Sequence, residues 1–156
     1  MALRYGHQVR SEPGPGMGFF TLELARLVGP TGRVVAVDVQ QKMLDGLKRR
    51  ASKAGLFDRI DARLATGQSM GIDDLQSAVD FVLVFAVVHE MSSPGSCFRP
   101  CSRAMKNGAA LLLAEPRGHV KDADFAAELE TAAQFGLGAV AHPEVRRSHA
   151  ALLRKS

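Results

Sequence analysis

Short β-branched runs alternate along this chain with stretches of helical period. That alternation restricts it to a parallel-sheet α/β architecture, because parallel strands need crossover helices. Residues 33–38 (Arg-Val-Val-Ala-Val-Asp) form a buried strand entered from the turn Gly29 to Gly32. Met43, Leu44, Leu47 and Ala51 then recur at helical spacing, and Gly55 is a natural stop. Ile60 to Thr66 alternates weakly as a strand, and Val79 to Val88 is the strongest strand signal. A helix is expected over Pro94 to Met105, broken or bent at Pro100. Ala109 to Ala114 is a further buried strand, with Glu115-Pro116 ending it. Asp122 and Asp124 open the next helix, where the macrodipole favours acid, and Phe125, Leu129, Ala132 and Ala133 give it an apolar face. Leu137 to Ala141 and His149 to Leu153 are the last strands. No helix separates them, so they are expected to run antiparallel.

A length of 156 residues matches one domain spanning 1–156 and is enough for a real core. Hydrophobic residues at 46% and charged residues at 23% exclude wholesale disorder. A net charge of +4 is too small to imply nucleic acid. Cys97 and Cys101 are the only cysteines, which argues against a disulfide framework and is too few for a metal site. At helical spacing the two pack on one helix face. Neither a membrane-length apolar run nor an apolar signal core is present, so a cytoplasmic location is expected.

The chemistry centres on Glu12-Pro13-Gly14-Pro15-Gly16-Met17-Gly18, followed directly by a helix over Phe19 to Val28. Glycines before a helix let a ligand approach the backbone and the helix N-terminus. A dinucleotide fingerprint needs GxGxxG, and counting from Gly14 puts Phe19 at the last position. The pattern is instead acid-x-GxGxG, suited to a ligand without a pyrophosphate. Asp38 ends the next strand, where a carboxylate can accept two hydrogen bonds from a ribose diol.

In this order, these motifs resemble class I S-adenosylmethionine-dependent methyltransferases. The glycine loop, Val34 to Asp38, Asp80 to Phe85 and Met105 to Glu115 carry the resemblance, which runs from Glu12 to the C-terminus. Gly18 to Ala25 and Val87 to Glu90 are similar to the ubiquinone/menaquinone-type small-molecule branch. The resemblance implies a three-layer αβα sandwich. Its mostly parallel seven-stranded sheet would have order 3-2-1-4-5-7-6, with the last strand antiparallel. It also implies S-adenosylmethionine as cofactor. Gly14, Pro15 and Gly16 would lie against its methionine part, with Glu12 orienting the loop. Asp38 would hold the ribose hydroxyls, Val39 would flank the adenine, and Ser69 and Phe85 would line the pocket. Gln68 stands where such proteins often carry an acid for the adenine amino group; its carbonyl oxygen can still accept that bond.

The first strand departs from the pattern. It would be central and apolar, yet Tyr5 to Ser11 contains Arg10, so a shortened or irregular strand is expected. At the carboxyl ends of the strands stand His89, Glu90, Glu115 and His119. His89 is the first candidate general base, since an imidazole titrates near neutrality; a capping role for His89 and Glu90 is the alternative. Asp73 and Asp74 are expected in a solvated loop, and Lys48, Arg49, Arg50 and Lys53 on a solvated helix face.

The expected function is S-adenosylmethionine-dependent methyl transfer to a small molecule by in-line displacement. The alternatives are a non-catalytic or truncated methyltransferase-fold binding domain and, below it, an RNA or protein methyltransferase. Nucleic acid is not the expected partner, because basic residues lack aromatic interleaving: the chain has no Trp and one Tyr. A homodimer stays open.

Overall fold

The computed structural model describes Leu3–Tyr5, Gln8–Pro13 and residues 19–156, with side chains from Phe20 onward. The elements are β1 (Leu3–Tyr5), β2 (Gln8–Pro13), α1 (Phe19–Leu27), β3 (Arg33–Asp38), α2 (Gln41–Lys53), β4 (Ile60–Leu64), β5 (Val79–Phe85), α3 (Gly95–Ala104), β6 (Met105–Pro116), α4 (Asp122–Gln134), β7 (Leu137–Ala141) and β8 (Ser148–Lys155). The sheet runs β4-β3-β2-β5-β6-β8-β7, and β1 pairs with β2 off that path. Strands β4, β3, β2, β5 and β6 run parallel to one another, β1 is antiparallel to β2, and β8 is antiparallel to both β6 and β7.

Each strand sends alternate residues to opposite faces, and this builds three layers. From β3, Val34 and Ala36 join Leu24 and Ala25 of α1 and Leu47 and Ala51 of α2 in one cluster. Val35 and Val37 join the other, with Phe98 of α3 and Phe125 of α4. The same split recurs on β6, where Leu111 and Leu113 face α3 and α4 while Leu112 packs on the α1–α2 side. Among the described residues no helix is long and apolar enough to cross a membrane.

Several boundaries differ from expectation. The first strand occupies Gln8–Pro13 rather than Tyr5 to Ser11. Leu3–Tyr5 folds back on it as an additional antiparallel strand, with Leu3 opposite Arg10. Arg10 also pairs in register with Phe81 of β5, so its backbone is central. Strand β5 stops at Phe85, short of Val88, because Ala86 takes φ 54° and turns the chain out of the sheet.

Pro100 does not break α3, which runs on to Ala104. Burial of Cys97, Phe98, Cys101 and Ala104 on one face outweighs one missing backbone bond. Lys155 of β8 also caps the helix end, its Nζ donating to the carbonyls of Ser102 (2.6 Å) and Met105 (2.8 Å). Strand β6 is longer than Ala109 to Ala114 at both ends.

Candidate functional site

The carboxyl ends of β3, β4, β5 and β6 gather the polar residues. Asp38 closes β3, and its backbone carbonyl accepts the Ala65 N–H at 2.7 Å, which leads the chain out of β4 beside it. Its Oδ1 accepts the Gln40 N–H at 2.7 Å, and Oδ2 takes no partner among the described residues. Val39, next along, is 64% exposed, an apolar side chain presented to solvent beside that carboxylate.

After β4 the chain makes a hydroxyl-centred turn. Thr66 Oγ1 accepts the amides of Gln68 (3.3 Å) and Ser69 (3.1 Å), and the Thr66 N–H donates to the Ser69 carbonyl at 2.8 Å. Ser69 Oγ accepts the Gly71 N–H, while the Gln68 amide side chain projects from an exposed residue. Below the turn, Arg63 donates to Asp61 (2.8 Å), Asp74 (3.0 Å) and the Gly71 carbonyl (2.8 Å). Asp74 therefore belongs to an ion-pair cluster rather than to a free solvated loop. The Arg63 hydrogen bond holds the Asp74 carboxyl below its usual range.

On the other side of the sheet centre, Phe85 ends β5 against Phe20 of α1, ring centroids 5.0 Å apart. Val88–Glu90 then form a tight helical turn. The fully buried Glu115, from β6, reaches it: Oε1 accepts the amides of Val87 (3.0 Å) and Val88 (2.9 Å), and Oε2 meets His89 Nδ1. His119 stacks on His89, centroids 5.6 Å apart and planes 11° from parallel. A cavity of ≈ 710 Å³ borders this region, lined by Gln68, Ser69, Ser93, Arg99 and Phe135 but by neither Asp38 nor His89.

The structure thus brings Asp38, Val39, Gln68 and Ser69 to neighbouring strand ends, with Phe85 and His89 at the next pair. Glu12 lies on β2 opposite Ala36, with its side chain outside the described residues, as are Gly14, Pro15 and Gly16. Glu115 does more than end a strand, the role expected of it from sequence: it ties the Val87, Val88 and His89 turn to β6. A carboxylate directly after Leu111-Leu112-Leu113-Ala114 of a buried strand must find donors, and that was the available signal. Glu128 was also missed; it sits at helical spacing from Phe125 and is buried with Oε2 unpartnered. His149 serves structure, its Nε2 lying 3.0 Å from the Val120 carbonyl. Arg154 donates from Nη1 to the Gly108 carbonyl, and Lys155 from Nζ to those of Ser102 and Met105.

Residues 11–113 match the methyltransferase domain family. The chain is similar to the ubiquinone/menaquinone biosynthesis C-methyltransferase UbiE of Pasteurella multocida, 27% identical over 113 residues, 72% of this chain and 41% of that protein. It therefore spans about two-fifths of that relative's length. By fold it is similar to a SAM dependent methyltransferase from Aquifex aeolicus, with TM-score 0.81, 22% identity, and 99% of this chain and 85% of that one covered. The [4+2]-cyclase SpnF is a further structural neighbour, with TM-score 0.76, 18% identity, and 97% and 76% covered. With well over half of its residues inside the family match, and with the layered sheet described above, this chain belongs to the methyltransferase domain family.

Proposed function

We propose that residues 1–156 act as one domain that transfers a methyl group from S-adenosylmethionine to a small-molecule acceptor. The observation that carries this reading is Asp38. It sits at the carboxyl end of the strand after the glycine-loop helix, with one oxygen fixing the turn and the other free of described partners. That chemistry fits a ribose diol. When bound, the cofactor supplies a methyl group made electrophilic by its sulfonium, and the protein supplies position and desolvation.

In this reading Asp38 accepts from the ribose hydroxyls and the exposed Val39 covers one face of the adenine. Gln68 accepts from the adenine amino group, while Ser69 and Phe85 bound the pocket. Glu12, Gly14, Pro15 and Gly16 form the loop along the methionine part. His89 stands on the acceptor side. With β1 set aside, numbering the remaining strands in chain order reads the sheet as 3-2-1-4-5-7-6, which supports the same assignment.

Calorimetric titration with S-adenosylmethionine tests the proposal, with NAD as control. Saturable binding is expected, weakened roughly a hundredfold by Asp38→Ala, the scale of two charge-assisted hydrogen bonds. The competing reading is a non-catalytic domain of the same fold, favoured by the neutral Gln68 and by Arg10 in a central strand. A folded chain that binds neither ligand would establish that reading instead.

A further inference from the structure

The Val88–Glu90 turn is held in a way that a capping role does not require. Ala86 enters it in the left-handed region, which costs a non-glycine residue about 1 kcal/mol. Its N–H donates to the Ala114 carbonyl (2.8 Å), and the next two amides both donate to Glu115 Oε1. A fully buried carboxylate is costly unless its charge is met by donors. Two backbone amides serve one oxygen of Glu115, so the imidazole at Oε2 completes the set by donating from Nδ1. Once Nδ1 carries the proton, the neutral ring has its lone pair on Nε2. Around Nε2 stand Glu90, whose Oε1 is 4.0 Å away on a mostly exposed side chain, and the stacked ring of His119. The His89 side chain is 20% exposed, so the ring is not sealed within the core.

We propose that Glu115 is the positioning residue of a proton-accepting unit: it fixes His89 as the Nδ1–H tautomer, and Nε2 takes the proton from the methyl acceptor. The bond that breaks joins that proton to the acceptor's nucleophilic atom, and the bond that forms is Nε2–H. The electron pair stays on the acceptor, and the imidazolium later returns its proton to solvent. This rests on the methyl-transfer reading, and it narrows the acceptor to one whose reacting atom carries a proton to lose, a hydroxyl, thiol or carbon acid rather than a tertiary amine.

The test uses the whole isotope-labelled chain without cofactor. Nitrogen–proton correlation spectra at mildly alkaline pH report the imidazole tautomers, and a His89→Gln variant assigns the resonance. The wild type should show Nδ1–H with an unprotonated Nε2. Glu115→Gln keeps an oxygen for the Val87 and Val88 amides but turns an NH2 donor toward Nδ1, so it should flip His89 to the Nε2–H form. Carbethoxylation of His89 by diethyl pyrocarbonate, localised by peptide mass, should fall on the order of tenfold in that variant. A wild-type His89 in the Nε2–H form, or one that resists carbethoxylation, overturns the proposal even if Glu115→Gln fails to fold. An unchanged tautomer in the folded variant does so as well. Because these readouts need no cofactor, failure to bind S-adenosylmethionine would sink the methyl-transfer reading while leaving them intact.

Discussion

Glu128 of α4 and Glu115 of β6 are two buried carboxyl groups within each other's field, held in opposite ways. Glu115 has three donors on its two oxygens, whereas Glu128 leaves Oε2 without a partner. Burial first, and then the charges of Glu115 and Asp124, push the Glu128 carboxyl up to about 7 from 4.5. The folded state therefore holds this proton more tightly than the unfolded state. Stability from this group is fully present below 4.5, declines as pH rises toward 7, and is flat above.

Glu128→Gln keeps the shape and removes the charge. Its stability should equal that of the wild type in mild acid and exceed it above neutrality by on the order of 2 kcal/mol, allowing for partial screening. Urea unfolding across the pH range measures the difference. A gap that does not open between 4.5 and 7 would show that Glu128 is neutralised by other means.

Gln68 offers a gain-of-function test of the cofactor assignment. A charged acceptor binds an amino group more strongly than a neutral amide oxygen does. Gln68→Asp should tighten S-adenosylmethionine binding by roughly three- to tenfold, equivalent to about 1 kcal/mol. Calorimetry against the wild type decides it. Unchanged affinity would remove Gln68 from the adenine contact while leaving Asp38 untouched.

The layered architecture was legible because β-branched runs and helical periods do not mimic one another over the lengths seen in β3, β5 and β6. The position of Asp38 at the end of β3 was legible for the same reason: a carboxylate closing an apolar strand stands out. The β1–β2 pairing was not, since Leu3–Tyr5 has no alternation strong enough to mark a strand. The continuation of α3 through Pro100 was not legible, since it depends on the packing of Cys97, Phe98 and Cys101 against the sheet. The role of Glu115 depends on Val87, Val88 and His89, more than 25 residues away in sequence, and no local pattern carries that distance.

The two cysteines should be chemically silent in the native chain. Cys97 and Cys101 are both buried on α3. The neighbouring Cys97 and burial together push the Cys101 thiol well above its usual range, so the reactive thiolate is scarce. Neither should react with a thiol-specific disulfide reagent under native conditions, and both should react once the chain is unfolded in denaturant. Rapid native labelling of either would contradict the packing of α3 against the sheet.

Arg63 ties the loop that carries Gln68 and Ser69 to the body of the fold. Its guanidinium bridges Asp61 on β4, Asp74 before β5 and the Gly71 carbonyl between them. Asp74 is largely exposed, so the ion pair itself adds at most about 1 kcal/mol to global stability. Its larger effect is local. Arg63→Met keeps much of the aliphatic stem and removes every donor, so the loop over residues 64–75 should exchange its amides faster while the strands keep their protection. Hydrogen exchange read by mass spectrometry separates the two regions. Cofactor affinity should fall by several-fold through loss of preorganisation. Asp74→Asn retains an acceptor oxygen without the charge and should produce a smaller loss. Its contribution should fade in the wild type as pH drops through the carboxylate range, since the folded state holds Asp74 ionised more strongly than the unfolded chain does. Equal exchange in Arg63→Met and wild type would mean that the Thr66-centred turn is self-sufficient and that Arg63 decorates the surface.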